Sequence, residues 1–400
     1  MTTDSGAPAP ASTSHGDLTA DQLGIRDLAR TFAGEMMRPN AAESDRQRTV
    51  PTEVLERMHQ VGLLSFAIPE ACGGGGLTGA LESALIAEEL AWGCAGIYSY
   101  LSGTSMFVAT VVDSGTPDQK EQWLRPLCRE NFAVGAFACT EPEAGSDVSG
   151  IKTRARRSDG GYRLRGQKTF ITNAPVADAM VVLASTSPEL ARDGLTMFLV
   201  RRDAPGLSCG PPIRMLGWRA AMNSDVFLDD VFVPDNDVLG SVGAGFEIAS
   251  RVFERSRIEV AAASIGIARA ALEYAVDYAN TRTTFGKKIR SYQGVSFPLA
   301  DIATRLRAAR LLTWDSARSC DAGRAFGVDA SMAKLFASET AVRATYQAIQ
   351  VLGGHGYTED HPVEKWFRDA RLETIEEGTS EIQRLIISHA LHGGELQLRS

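Results

Sequence analysis

The sequence has no basic block, no paired cysteines, no histidine cluster and no uninterrupted apolar run long enough to cross a membrane. Each absence removes a class of function. With a formal net charge of −8 and no basic stretch, nucleic acid and anionic membrane surfaces are poor partners. The apolar runs fall short of the roughly 20 residues a spanning helix needs, so no membrane partner is expected. The six cysteines (72, 94, 128, 139, 209, 320) are scattered. That excludes a disulfide framework and a zinc site, and fits reduced thiols in the cytoplasm. The six histidines have no metal-ligand spacing, so no metal is expected; His355 sits in a Gly-rich turn and reads as structural. The opening residues, MTTDSGAPAPASTSHGD, lack the charged-then-apolar pattern of a signal peptide. Small, polar and Pro-rich, segment 1–17 reads as a disordered tail rather than an address. No internal repeat is visible.

What is present is an ordinary globular composition, 44% apolar and 22% charged, in 400 residues, too many for one comfortable core. Two or three structural units follow. From 18 to 131 helical signals dominate. Thr19 and Gln22 are spaced as a capping box ahead of Leu23, Ile25, Leu28 and Phe32. Pro51 suits a first turn and Gly62 a helix stop. Two apolar helices are predicted over 81–92 and 96–112, and a polar one from Pro117. Between 132 and 242 the texture changes to short β-branched and aromatic segments separated by turns: 132–139, 162–164, 168–172, 180–184, 196–201, 226–227 and 231–233. From 243 to 400 the helical period returns, with long segments over 244–282, 293–322, 328–352 and 362–372 and a last helix after Ser380. The expected fold class is α+β: an N-terminal helical domain, a middle β domain, and a C-terminal four-helix-bundle-like domain.

Three stretches carry chemistry. The first is Glu376-Glu377-Gly378-Thr379-Ser380-Glu381-Ile382-Gln383-Arg384. Gly378 permits a tight turn, and Ser380 and Gln383 have capping-box spacing for the helix that follows. A carboxylate held there and desolvated would have a raised pKa, which suits removal of a weakly acidic proton. A solvated acidic turn fits the same residues. The second stretch, 137–147, ends a strand with hydroxyls, a proline and a glycine that expose backbone N–H groups, a cradle for an anion or a polar ring edge; an ordinary strand-end turn is the alternative. The third, 166–174, places Phe170 and Thr172 on one face of a strand, where an aromatic and a hydroxyl could hold a flat heterocycle.

Taken together, these stretches resemble the acyl-CoA dehydrogenase family from about residue 18 to 393. The motifs are Pro-Glu-x-x-Gly-Gly at 69–74, Thr-Glu-Pro-x-Ala-Gly-Ser-Asp at 140–147 and Gly-x-Lys-x-Phe-Ile-Thr-Asn at 166–173. They continue with Val-x-Val-Pro-x-x-x-Val-Leu-Gly ending at Gly240 and Arg282-x-x-Phe285-Gly286-x-x-Ile289-x-x-x-Gln293. Last come Gln350-x-x-Gly353-Gly354-x-Gly356-Tyr357 and Glu377-Gly378-Thr379. The α–β–α order is also the family's.

The resemblance implies FAD between the β domain and the C-terminal bundle. Its own-chain contacts would be Phe137, Cys139, Thr140, Ser146, Phe170, Thr172, Thr379 and Glu381. Arg282, Phe285, Gln350 and Gly354 would reach the FAD of a neighbouring subunit, with Thr284 and Gly353 also in the cofactor set, which implies a homo-oligomer, commonly a dimer of dimers. It also implies an acyl-CoA substrate held by Ser146, Glu254, Arg257, Glu376 and Gly378. Electrons would pass to an electron-transfer flavoprotein. Glu377 would be the base that takes the α-proton while the β-hydrogen leaves as hydride, giving the trans-2-enoyl thioester. Some family members carry the base on the CoA-binding helix; the matching position is Ser256, which cannot serve. Two positions depart from the pattern: Glu376 stands where an aromatic is frequent, and Arg219-Ala220-Ala221-Met222-Asn223 replaces Arg-x-Ser-x-Thr. Glu376 with Tyr98, Tyr100 and Leu101 points to a short or medium acyl chain, polar or branched. Alternatives are the same chemistry on a carrier-bound acyl group, an O2-using flavin oxidase or monooxygenase, which typically lacks the Glu, and a non-catalytic subunit.

Overall fold

A computed structural model describes residues 18–129 and 131–393; the expected tail 1–17 lies outside them. The chain begins with α1 (Ala20–Phe32), whose Thr19–Gln22 capping box forms as expected, and α2 (Arg38–Gln47). Next come α3 (Thr52–Gln60), α4 (Ala80–Ser114) and α5 (Pro117–Leu124). The strands are β1 (Gly135–Ala138), β2 (Arg154–Ser158), β3 (Gly161–Thr172), β4 (Ala179–Ser185), β5 (Leu195–Arg201), β6 (Leu207–Cys209), β7 (Asn223–Pro234) and β8 (Val238–Leu239). After them run α6 (Gly245–Thr281), the small hairpin β9 (Thr283–Thr284) and β10 (Lys287–Lys288), α7 (Gln293–Asp321), α8 (Gly327–Leu352), α9 (Val363–Glu373) and α10 (Ser380–Gly393).

Several boundaries differ from the sequence reading. The two helices expected over 81–92 and 96–112 are one. The backbone of α4 leaves helical geometry only at Cys94 (φ −167°, ψ 115°), and burial carries the helix through Gly93 and Gly96. At 35 residues α4 is long and apolar enough to cross a membrane by length and composition, a run the sequence reading did not find. Its apolar window is 78% buried inside the protein, which accounts for that composition. Segments 162–164 and 168–172 also merge, because β3 stays paired to β7 through two bulges, one between Lys168 and Ile171. β2, the sequence Arg-Ala-Arg-Arg-Ser, carries too much charge to read as a strand.

The sheet runs β6-β7-β3-β2-β4-β5-β8, with β1 added parallel to β4. One apolar core is shared by α1–α4 and α6–α9, so the first and last helical regions pack as one body. They approach closely at Gly266 of α6, where a Cβ would lie 2.2 Å from the Glu88 carbonyl of α4. A second core joins α4 and α5 to β1, β4, β5 and the start of α6, and a third fills the sheet. α4 therefore touches both the bundle and the sheet, and the candidate site lies along it.

Candidate functional site at the turn between α9 and α10

Glu377 is in the left-handed region (φ 51°), followed by Gly378 at φ 89°. A non-glycine residue there is strained, and it persists only where its surroundings hold it. Here they do. The Glu377 carbonyl accepts from Arg257 Nε (3.3 Å) and Gln383 Nε2 (3.1 Å), and the Gly378 carbonyl from Lys334 Nζ (2.8 Å) and Gln383 Nε2 (2.8 Å). The α10 cap is Thr379, whose Oγ1 accepts the Ile382 N–H at 3.3 Å; the expected Ser380–Gln383 capping box is not formed, and Gln383 clamps the turn instead. The backbone N–H of Glu377 has no protein acceptor among the described residues.

The carboxyl of Glu377 is enclosed by protein yet keeps accessible surface, as a cleft-lining group does. Burial raises its pKa, opposed by the Ser256 hydroxyl, Arg257 and Lys334. Ser256 Oγ lies 2.8 Å from Glu377 Oε2 and 3.2 Å from the Phe253 carbonyl, so its one proton serves the two in alternation. Around this contact gathers a charged cluster the sequence reading missed. Lys334 is fully buried, and burial brings it down to about 8 against the pull of Glu376, Glu373 and Glu377. Glu376 is pushed up to about 8 by burial and by Glu377, with Lys334 offsetting. Glu373, fully buried, accepts from Ser264 Oγ at 3.1 Å and lies well above the usual carboxylate range through burial and Glu376. The signal was in α8, where Lys334 interrupts the buried row Ala330, Ala333, Ala337 and Ala341.

The β domain meets this turn from one side. Lys168 and Glu141, both buried, pair at 2.8 Å and so tie the 140–147 turn to β3; Lys168 also donates to the Cys139 carbonyl at 2.9 Å. The Thr140 carbonyl accepts from the Thr169 N–H (2.9 Å). Asn173 reaches the carbonyls of Tyr100 (3.0 Å) and Gly135 (3.1 Å), binding β3 to α4 and β1. The Cys139 thiol is pushed up to about 12 by burial, with Glu377 close enough to add to it. Phe137 packs edge-on against Phe253 of α6, ring centroids 5.7 Å apart. At the β3 bulge Phe170 (φ 57°) turns outward, 60% exposed. The Thr140 and Thr172 hydroxyls have no protein partner among the described residues, and Ser146 is exposed. Glu254 packs against the start of α8, beside Gly327, and contributes to the field on Arg257. Thr379 and Glu381 line a separate groove of about 700 Å³ with Tyr346, Phe367 and Arg371.

The other expected contacts lie elsewhere. Arg282 follows Ser256 by 26 residues (282 against 256) at the far end of α6, roughly 39 Å away at 1.5 Å per residue. There Phe285 is 92% exposed, and Arg282, Gln350, Gly353 and Gly354 are exposed beside it, near the contact of Tyr278 with His355 (3.0 Å).

Comparison with known proteins gives the family. Family models described as the N-terminal, middle and C-terminal domains of acyl-CoA dehydrogenase match residues 19–131, 136–231 and 243–392. The chain belongs to the acyl-CoA dehydrogenase family. An acyl-CoA dehydrogenase of Bacillus subtilis is 40% identical over 94% of this chain and 99% of its own length. The short-chain specific mitochondrial enzyme of Bos taurus is 40% identical over 91% and 88%. The butyryl-CoA dehydrogenase of Megasphaera elsdenii superposes with a TM-score of 0.91 at 37% identity, over 94% of this chain and 99% of that one.

Acyl-CoA dehydrogenases are FAD-dependent oxidoreductases acting on CH–CH bonds, and the residues of this family member fit that cofactor. Two unpartnered hydroxyls, an outward aromatic on β3 and a free Glu377 N–H are groups that a polar flat ring and its side chain would satisfy. At the 219–223 departure from the family pattern, Ala220 and Ala221 are buried, Ala220 against Gly96 of α4, and Asn223 Oδ1 is buried with no protein partner among the described residues.

Proposed function

We propose that this dehydrogenase oxidises the Cα–Cβ bond of a short or medium acyl-CoA thioester, with Glu377 removing the α-proton. The observation that carries the reading is Glu377 itself: a buried carboxyl with a raised pKa on a strained turn clamped from Arg257, Lys334 and Gln383. A carboxylate made more basic by burial suits removal of a weakly acidic α-proton. The free N–H of Glu377 is a preorganised donor for the thioester oxygen as charge develops there. FAD, when bound, supplies the two-electron acceptor for the β-hydrogen. Thr140, Thr172 and Phe170 orient it from the sheet. Ser146, Glu254 and Arg257 take the CoA arm.

The Arg282 group sits too far along α6 to reach the Glu377 end of its own chain. It serves the FAD of a second subunit, so the working enzyme is a homo-oligomer, and an electron-transfer flavoprotein takes the electrons. The test is anaerobic mixing of the FAD-loaded protein with butyryl-CoA and hexanoyl-CoA. The flavin absorbance should bleach and the trans-2-enoyl-CoA should form. Full FAD loading without bleaching by any acyl-CoA would overturn the reading.

A further inference from the structure

Glu259 stands on α6 three residues after Ser256 and four after Arg255, hence on the same face. It borders a small cavity of about 20 Å³ lined by Ala67 and Thr78 before α4, by Ser105, Val108 and Asp113 of α4, and by Arg255 of α6. Protein encloses the carboxyl, yet no protein donor among the described residues hydrogen-bonds to it. Burial pushes it up to about 7, Arg255 opposes that, and Glu377 adds to it. Arg255 lines the same cavity and donates to the Thr78 carbonyl on its wall, so it faces Glu259 without hydrogen-bonding to it. Tyr98 of α4, 2% exposed, lies in the combined field of Glu259, Glu373 and Glu376, so this wall of the site is acidic from two helices. Asp113 adds a further acid to the cavity itself.

We propose that the acyl pocket selects a chain bearing a hydrogen-bond donor, a protonated amine foremost, with Glu259 as its acceptor. The proposal rests on the dehydrogenase reading above and names the substrate class of the same site. Three residues, about 4.5 Å of helix rise, separate Glu259 from the Ser256 that touches Glu377, which puts the donor near the fifth carbon of the acyl group. A plain alkyl tail there would leave a buried carboxyl unpaired, which is costly. A tail ending in a carboxylate would meet Glu259 and Asp113 as like charge, only partly offset by Arg255. A site built around an acceptor discriminates most strongly against the analogue that lacks the donor.

The test uses FAD-loaded protein and four trans-2-enoyl-CoAs of matched length: 5-aminopent-2-enoyl, 5-hydroxypent-2-enoyl, hex-2-enoyl and hex-2-enedioyl. The trans double bond keeps the amine from closing onto the thioester. Isothermal titration calorimetry should rank them amine, hydroxyl, alkyl, dioate, the amine binding at least about tenfold tighter than the alkyl compound. Glu259→Gln should abolish the amine preference, with hexenoyl binding held or tightened because no carboxyl is left unpaired. Glu259→Asp, a smaller perturbation should the first variant lose FAD, should keep part of the preference. Hexenoyl or dioate binding tightest, or an amine preference untouched in Glu259→Gln, would refute the proposal while bleaching by butyryl-CoA still upheld the dehydrogenase. Failure of every acyl-CoA to bleach the flavin would end both.

Discussion

Removing the Ser256 hydroxyl isolates one contribution to the acidity of Glu377. The hydroxyl lies 2.8 Å from Oε2, a hydrogen bond to the ionised form of the carboxyl. Bonds to charged groups contribute roughly 1.5–3 kcal/mol. Because the Phe253 carbonyl at 3.2 Å competes for the same proton, the lower figure applies. About 1.4 kcal/mol is one pH unit. The sign follows from which form is bonded: losing a donor to the carboxylate favours the protonated acid, so the pKa of Glu377 rises. Ser256→Ala should therefore move the acid limb of the pH profile of flavin bleaching upward by about one unit. Well above the limb the rate should match wild type; well below it, the rate should fall about tenfold. Anaerobic stopped-flow absorbance from pH 5.5 to 9.5 reads this directly. An acid limb that stays in place, with FAD still bound, would show that Ser256 does not tune the base.

The other perturbations test neighbouring parts of the account. Glu376 is pushed up to about 8, so the folded chain holds a proton that the unfolded chain releases near 4.5. That stabilisation is complete below pH 4.5 and is lost as pH rises through 8, at up to about 1.4 kcal/mol per unit. Thermal denaturation of Glu376→Gln should show a flatter decline across that window than wild type, and an equally steep one would place the effect in another group. Gly378→Ala introduces a Cβ 2.8 Å from Gln383 Nε2 at φ 89°; it should lower the melting temperature and slow bleaching together, and wild-type values for both would show the turn is not under constraint. Arg282→Ala should weaken FAD binding although Arg282 lies at the other end of α6 from Glu377. A wild-type monomer fully loaded with FAD by light scattering would contradict the shared site.

The three-part order of helices, strands and helices was legible because each region keeps one hydrophobic period over a long stretch. Glu377 and Gly378 were legible as a turn, and the left-handed geometry of Glu377 was not, since nothing in a Glu announces it. The motif residues Lys168, Glu141 and Asn173 proved to hold the scaffold: the first two pair inside the protein and the third ties β3 to α4 and β1. Glu376 and Ser256 were legible singly, but their cluster with Lys334 and Glu373 was not, because α6, α8 and the end of α9 are distant in sequence and meet only by packing. Cys94 and the joined helix α4 failed for a related reason. The apolar pattern reads as two helices, and a buried environment carries one helix across 93–95.

The central claim is that Glu377 removes the substrate proton, and Glu377→Gln tests it with the least change in shape. The amide keeps the volume, and Arg257, Lys334 and Gln383 hold backbone carbonyls that the substitution leaves intact. FAD should still load fully, as judged by the ratio of flavin to protein absorbance. The rate of anaerobic bleaching by butyryl-CoA should fall about 10²–10⁴-fold, the usual cost of losing a general base. A FAD-loaded variant that bleaches within about fivefold of wild type would contradict the account and place the base on another residue.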